Sequence, residues 1–178
     1  MNLGFFIAAA LLLSLERISY ILIWYHPERF QQLCRQPLLS RFGDPVDVLQ
    51  LLFYGFKAIQ LTVFIGWCYL FGNGDLSPFT GSVLSLVVGS MLIVIGQVLN
   101  FSVFYRLGKV GVFYGNRFGH QIPWCDRFPF SLIRHPQYVG TLVSIWGFFL
   151  VMRYPYGDWF VLPALQTVYY WVGARFEQ

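Results

Sequence analysis

The sequence predicts an all-α integral membrane protein, a bundle of about five helices in which three membrane spans precede a C-terminal helical hairpin. The 178 residues are 57% hydrophobic and only 11% charged, whereas a soluble domain carries about 25% charged residues. Aromatic residues make up 20% of the chain, and many flank the apolar runs, as they do at membrane interfaces. The length fits a single domain over residues 1–178.

Three apolar runs are long enough to cross a bilayer, which takes roughly 20 residues. The first covers about Leu3–Tyr25 and ends at His26-Pro27, because a proline disfavours helix in the residue before it. We expect a retained helix there, since the run lacks the basic leader of a signal peptide. The second run covers about Val48–Phe71, and the third covers about Gly81–Tyr105.

A polar segment, Arg106–Gln137, separates these spans from two shorter apolar runs. The two runs, about Tyr138–Met152 and Trp159–Phe176, predict a helical hairpin whose second arm can kink at Pro163. If the hairpin crosses the membrane and returns, Glu177 lies on the same face as the polar segment.

The loops predict the orientation in the membrane. The linker Pro27–Pro45 and the polar segment Arg106–Gln137 hold eight of the twelve basic residues, and the turn at residues 72–75 holds none. The positive-inside rule therefore places both basic segments, and the site they border, on the cytoplasmic side. We expect the endoplasmic reticulum in a eukaryote and the inner membrane in a bacterium.

Two opposite charges lie at matching depth inside the predicted spans. Glu16 comes nine residues before Tyr25, and Lys57 comes nine residues after Val48. Both therefore lie roughly 13 Å from the same surface. Because a lone charge at that depth is costly, we predict that Glu16 and Lys57 form a structural ion pair.

The third span carries a stripe of small or polar residues on one helix face: Ser85, Gly89, Gly96 and Asn100. Such a face usually packs closely against another helix. Alternatively, a ligand lies against the glycines. The packing interpretation does not explain the polar side chain of Asn100.

The polar segment has glycines at intervals of three or four residues, Gly108, Gly111, Gly115 and Gly119. The spacing fits a helical stripe or a loop that approaches a ligand, and it is neither a dinucleotide motif nor a P-loop. His120, Asp126 and His135 lack a recognised ligand spacing, so we expect no metal site. A basic segment beside a membrane also attracts anionic lipid without any specific residue.

Two stretches carry a family resemblance, LGKVGVFYGNRFG at residues 107–119 and FPFSLIRHPQYVGTLVSIWGFFL at residues 128–150. They resemble the core of phosphatidylethanolamine N-methyltransferases, and RFGDP before the second span resembles the linker of that family. The RHPQYVG form is shared with isoprenylcysteine carboxyl methyltransferases and related membrane enzymes. It therefore identifies the superfamily better than the substrate.

The resemblance implies S-adenosylmethionine as the methyl donor and a donor-binding core at about residues 96–178. The donor-binding Gly-x-Gly of the family falls on Val94-Ile95-Gly96, where only the second glycine is present. The paired acidic residues of the family fall on Glu177 and Gln178, of which only the first is acidic. Arg134 is expected to face a carboxylate or phosphate. The residues expected to bind the donor are Gly96, Asn100, Gly108, Gly111, Gly115, Arg134, His135, Tyr138, Gly140 and Glu177.

The chemistry explains these residue types. Methyl transfer from a sulfonium is an in-line displacement, for which the protein supplies alignment and electrostatics. A lipid amine must lose a proton before it attacks, and the candidate catalytic residues are Glu177, His135 and Tyr138. One of four basic residues is expected to hold the substrate phosphate: Arg106, Lys109, Arg117 or Arg127. In the simpler interpretation, His135 and Arg134 cap a helix or bind lipid phosphate, and Tyr138 is an interfacial aromatic.

We therefore expect an S-adenosylmethionine-dependent enzyme that methylates phosphatidylethanolamine, or its mono- and dimethyl derivatives, toward phosphatidylcholine. One alternative is another membrane acceptor, such as a prenylated cysteine carboxylate or a small thiol. The other is a non-catalytic lipid-binding or structural membrane protein. The expected partners are a phospholipid substrate and the bilayer, with no nucleic acid, and the oligomeric state is left open.

Overall fold

The computed structural model describes residues 3–72, 74, 76, 81–122 and 125–177 of the chain. Within these residues the chain forms six α-helices and no strand, which confirms the predicted all-α fold. In chain order the helices are α1 (Leu3–Tyr25), α2 (Pro27–Cys34), α3 (Pro45–Phe71), α4 (Val83–Val112), α5 (Pro136–Met152) and α6 (Val161–Phe176). Short 3-10 turns lie at Ser40–Phe42 and Gly115–Phe118.

Three of the helices, α1, α3 and α4, are long and apolar enough to cross a membrane. They are the three predicted spans, and α5 and α6 are the arms of the predicted hairpin. The architecture is therefore that of a helical membrane bundle. Residues 73 and 75 of the predicted turn between α3 and α4 lie outside the described residues.

Two features depart from the prediction of about five helices. The linker after α1 contains the additional helix α2, which begins at Pro27, because the first helical residue needs no N–H partner. Helix α4 continues beyond Tyr105 to Val112, so the start of the predicted polar segment is helical. A break at Gly108 interrupts α4, and its φ of +60° favours glycine.

The start of α3 and the end of α4 lie at one end of the bundle, here called the polar end. A capping box starts α3: the Asp44 side chain accepts from the Asp47 N–H at 2.9 Å, and the Asp47 side chain accepts from the Asp44 N–H at 3.2 Å. Lys109 of α4 forms an ion pair with Asp47.

The connection between α5 and α6 lies at the opposite end. The indole N–H of Trp67, near the end of α3, donates to Asp158 at 2.8 Å, and Arg153 donates to the same carboxylate at 2.5 Å. Helix α5 therefore runs away from the polar end, and α6 returns to it. The 17 residues of α5 rise about 25 Å, slightly less than the roughly 30 Å of a bilayer core.

Helices α4 and α5 cross with their backbones close together. A Cβ atom added to Gly147 would lie 2.5 Å from the Gly89 carbonyl oxygen, and one added to Gly140 would lie 2.7 Å from the Gly96 carbonyl oxygen. Only glycine fits at such distances, so the glycines on the small-residue face of α4 serve helix packing.

A cluster of charges joins α1, α3 and α6 inside the bundle. Glu16 lies 3.0 Å from the Lys57 ammonium and 2.7 Å from the Arg17 guanidinium, which confirms the predicted Glu16–Lys57 pair. Lys57 also donates to the Tyr170 hydroxyl at 2.9 Å and to the Gln60 side chain at 3.2 Å. The glutamate thus pairs with two cations, which leaves one net positive charge, and the lysine connects three helices.

We expect Glu16→Gln and Lys57→Met each to lower the thermal stability of the protein in detergent micelles. Removing one partner of a buried pair costs about 3–5 kcal/mol, because the other charge stays buried without compensation. Glu16→Gln should be the more damaging change, since it leaves both Arg17 and Lys57 without their carboxylate.

Lys109→Met is the matched control, because the Lys109 side chain is 44% exposed and an exposed pair contributes about 0–1 kcal/mol. If Glu16→Gln and Lys57→Met both melt at the temperature of the wild-type protein, the cluster does not hold the helices together.

Candidate active site

A polar cavity of about 310 Å³ extends from the polar end to the charge cluster. Helices α1, α3, α4, α5 and α6 all contribute to its lining. Its charged lining residues are Glu16, Arg17, Lys57, Arg134 and Glu177. The cavity therefore presents both positive and negative groups inside a membrane bundle, an arrangement typical of functional sites.

Two tyrosines hold the carboxylate of Glu177, the residue that follows α6. One oxygen accepts from the Tyr114 hydroxyl at 2.7 Å, and the other accepts from the Tyr138 hydroxyl at 2.5 Å. Tyr114 has a φ of +55°, a value uncommon for a residue other than glycine. The glycine segment, α5 and α6 therefore meet at Glu177, as the hairpin prediction required.

His135 stands directly before α5 and faces the polar cavity. Its side chain makes no capping hydrogen bond, so the helix-cap interpretation does not describe it. Its ring stacks near Tyr138, with 5.9 Å between ring centres. The buried Nε2 atom has no hydrogen-bond partner among the described residues.

Burial and the neighbouring Arg134 charge lower the pKa of His135 below its ordinary value of 6.5, and Glu177 opposes the shift. Burial acts in this direction because it disfavours the charged imidazolium. The ring is therefore neutral at neutral pH and has a nitrogen available to accept a proton.

Aromatic rings surround the guanidinium of Arg17. Its central carbon lies 3.9 Å from the centre of the Tyr170 ring and 5.0 Å from that of Tyr138, distances typical of cation–π contacts. Tyr138 thus lies between Arg17 and Glu177, so the charge cluster and the carboxylate share one wall.

Sequence reasoning missed three of these residues as parts of the site, namely Arg17, Tyr114 and Tyr170. Arg17 carried a usable signal, since an arginine inside a span marks a functional site by default. Tyr170 carried none, because aromatic residues are common throughout this chain, and the only signal for Tyr114 was its place in the stretch of residues 107–119 that carries the family resemblance.

The structure brings together Gly111, Arg134, His135, Tyr138 and Glu177, all of which line the polar cavity. Other residues predicted to bind a ligand lie elsewhere. Gly96 and Gly140 pack against each other, Gly108 provides the break in α4, and Gly115 packs against the Val110 carbonyl. Asn100 lines a second cavity between α3, α4 and α5. Gln178 lies outside the described residues.

The four basic residues predicted to hold a phosphate do not line the polar cavity. Lys109 is paired with Asp47. Arg106 donates to the Phe128 carbonyl at 3.1 Å. Arg117 stacks over Trp24 at 3.7 Å. Arg127 is exposed. Their role in phosphate binding stays a prediction.

Fold and site together define an integral membrane protein whose helices enclose a polar cavity with an ordered carboxylate and a histidine. The family model for phospholipid methyltransferases matches residues 84–178. The chain belongs to the phospholipid methyltransferase family. The matched residues include Tyr114, His135, Tyr138 and Glu177, whereas the charge cluster on α1 and α3 lies before them.

Similar proteins carry two related names. The phosphatidyl-N-methylethanolamine N-methyltransferase of Arabidopsis thaliana is 36% identical over 129 residues, 71% of this chain and 67% of the relative. The phosphatidylethanolamine N-methyltransferase of Rattus norvegicus is 30% identical over 161 residues, 88% of this chain and 78% of the relative.

The chain spans less than half of a yeast relative, the phosphatidyl-N-methylethanolamine N-methyltransferase of Saccharomyces cerevisiae, which is 34% identical over 94 residues. That match covers 51% of this chain and 44% of the relative. No solved structure matches the chain.

We expect His135 to titrate below pH 6.5 in the folded protein. Nitrogen-detected NMR of histidine-labelled protein in micelles can follow the three histidines, with His135→Gln as the variant that assigns the signal. Because folding lowers this pKa, the stability that His135 contributes is present above the ordinary value and is lost as the pH falls below it. A pKa at or above 6.5 would contradict the buried, neutral ring.

Proposed function

We propose that the chain is an S-adenosylmethionine-dependent phospholipid N-methyltransferase. Its acceptor is the amine of phosphatidylethanolamine, or of its mono- and dimethyl derivatives, and the pathway leads toward phosphatidylcholine. The names of the Arabidopsis and rat relatives support this substrate class. The observation that carries the proposal is Glu177, held by Tyr114 and Tyr138 in a cavity built largely from the matched residues.

The polar cavity fits the donor in charge and size. S-adenosylmethionine has a carboxylate, an ammonium group and a sulfonium, and the cavity offers Arg134, Glu177 and several aromatic rings. Its volume of about 310 Å³ lies at the lower end of the roughly 300–1,000 Å³ of small-molecule sites. When bound, the donor supplies an activated methyl group.

We assign a distinct role to each of four polar residues of the cavity. Glu177, which is fixed by two hydrogen bonds, holds a cationic group of the donor. Arg134 pairs with the carboxylate of the donor. The Nε2 of His135 is unpartnered among the described residues, and the Glu177 carboxylate favours the imidazolium, so His135 is assigned to accept the proton that the lipid ammonium must lose. Tyr138 positions Glu177 and separates it from Arg17.

The phosphate of the lipid is assigned to Arg106 among the four predicted basic residues. Arg106 and Phe101 border the same surface pocket of α4, and Phe101 also lines the second cavity. Lys109 already has a carboxylate partner. We place the polar end on the cytoplasmic side, as the basic loops favour, and treat residues 1–178 as one domain with its donor-binding core at about residues 96–178.

The first test uses labelled donor with purified protein in lipid bicelles. Radiolabel should appear in mono-, di- or trimethylated phospholipid after lipid extraction. Label in a prenylcysteine ester or a small thiol would instead favour another acceptor, and such carboxylate or thiolate acceptors need no general base.

The second test measures binding of the demethylated donor product by calorimetry. Glu177→Gln should weaken binding by about tenfold or more, since a hydrogen bond to a charged group contributes about 1.5–3 kcal/mol. Glu28→Gln on α2 is the matched control, because Glu28 is exposed and lies outside the polar cavity. Equal affinities in wild type and Glu177→Gln would refute the assigned site.

A further inference from the structure

A second cavity, here called the lipid-facing groove, lies between α3, α4 and α5 and has a volume of about 630 Å³. Its walls are mostly apolar, and large rings from all three helices line it, including Phe64, Phe101 and Phe148. Its rim is exposed on the membrane surface of the bundle, with Leu61 53% and Phe101 70% exposed. The groove is therefore open to lipid.

The groove is continuous with the polar cavity. Phe53, Lys57, Gln137 and Thr141 line both. Asn100 lines the groove at the level of this junction, and its buried Oδ1 has no hydrogen-bond partner among the described residues. The polar residues at this end lead to His135 and Glu177. Farther along the groove, the Gln97 amide donates to the Ser144 hydroxyl at 3.0 Å.

The length of the groove is close to the thickness of one leaflet of a bilayer. Along α3 its lining extends from Phe53 to Phe64, and along α4 from Phe104 to Ile93. Each stretch covers eleven residue steps and therefore about 17 Å of helix. Half of a hydrocarbon core is roughly 15 Å, so the groove is about as long as one leaflet is thick. Its lining begins eight residues inside the polar end of α3, after Pro45, and eight residues inside that of α4, before Val112.

We propose that the lipid-facing groove holds one acyl chain of the phospholipid acceptor while the head group passes the junction into the polar cavity. This inference rests on the proposed function and adds the path by which the acceptor arrives. Lipid chains and groove walls are equally apolar, so the groove contributes little affinity through the hydrophobic effect. The groove instead acts by positioning the acceptor, because a held acyl chain fixes the place of the head-group amine in the polar cavity.

The test uses phosphatidylethanolamine that carries a diazirine near the end of one acyl chain. After irradiation in bicelles, mass spectrometry should find label on Leu61, Phe64 and Phe148 in excess over exposed positions outside the groove, such as Leu70 and Leu84. Unlabelled phosphatidylethanolamine should compete the label away, and phosphatidylglycerol should not.

Leu61→Trp narrows the groove, and Leu70→Trp is its control on the same helix, since the two leucines are 53% and 51% exposed. Leu61→Trp should reduce groove labelling and lower the methylation rate of long-chain acceptors about tenfold, since misplacement of a reacting group by 1 Å can cost up to about 100-fold. Rates with short-chain acceptors should stay within about twofold of wild type, because those chains end above Leu61.

Three results would contradict the proposal that the groove holds an acyl chain. They are label spread evenly over exposed positions, equal competition by phosphatidylglycerol, and unchanged labelling and methylation rates in Leu61→Trp. The proposed function fails separately, if wild type transfers no methyl group to any phospholipid. The labelling does not depend on methyl transfer, so the two failures are distinguishable.

Discussion

The requirement that charge inside a bilayer be balanced governs this bundle. Glu16 pairs with both Arg17 and Lys57, and through Lys57 it ties α1 and α3 to Tyr170 of α6. The one positive charge that Glu16 leaves over is stabilised by the Tyr138 and Tyr170 rings around Arg17. The Tyr170 hydroxyl gives the second arm of the hairpin a polar partner inside the bundle. The same cluster forms the inner wall of the polar cavity, so one set of contacts both closes the bundle and sets the electrostatics of the site.

The glycine crossing of α4 and α5 places the other half of the site. Because Gly96 and Gly140 allow the backbones to touch, α5 starts close to α4 and carries His135 and Tyr138 to the cavity. The break at Gly108 then lets the chain after α4 turn back, so that Tyr114 reaches Glu177. The backbone at these glycines therefore determines where His135, Tyr138 and Tyr114 stand.

Sequence patterns predicted the helices and the buried pair well, because hydropathy and the cost of an unpaired charge are local properties. They predicted Arg134, His135, Tyr138 and Glu177 only through family resemblance. They could not separate glycines that pack from glycines that border a ligand, since both need a missing Cβ atom. They also could not find Tyr114, whose position depends on a backbone break and a contact between residues 63 apart in sequence.

The junction at Phe53, Lys57, Gln137 and Thr141 joins a cavity at the polar end to a groove open to lipid. With this arrangement, the donor would enter from water and the acceptor would enter from the membrane. The reaction rate would then depend on the molar concentration of a water-soluble donor and on the mole fraction of a lipid acceptor in the leaflet. Diluting the membrane with inert lipid would then slow the reaction at constant total lipid, and methylated product would leave by diffusion in two dimensions.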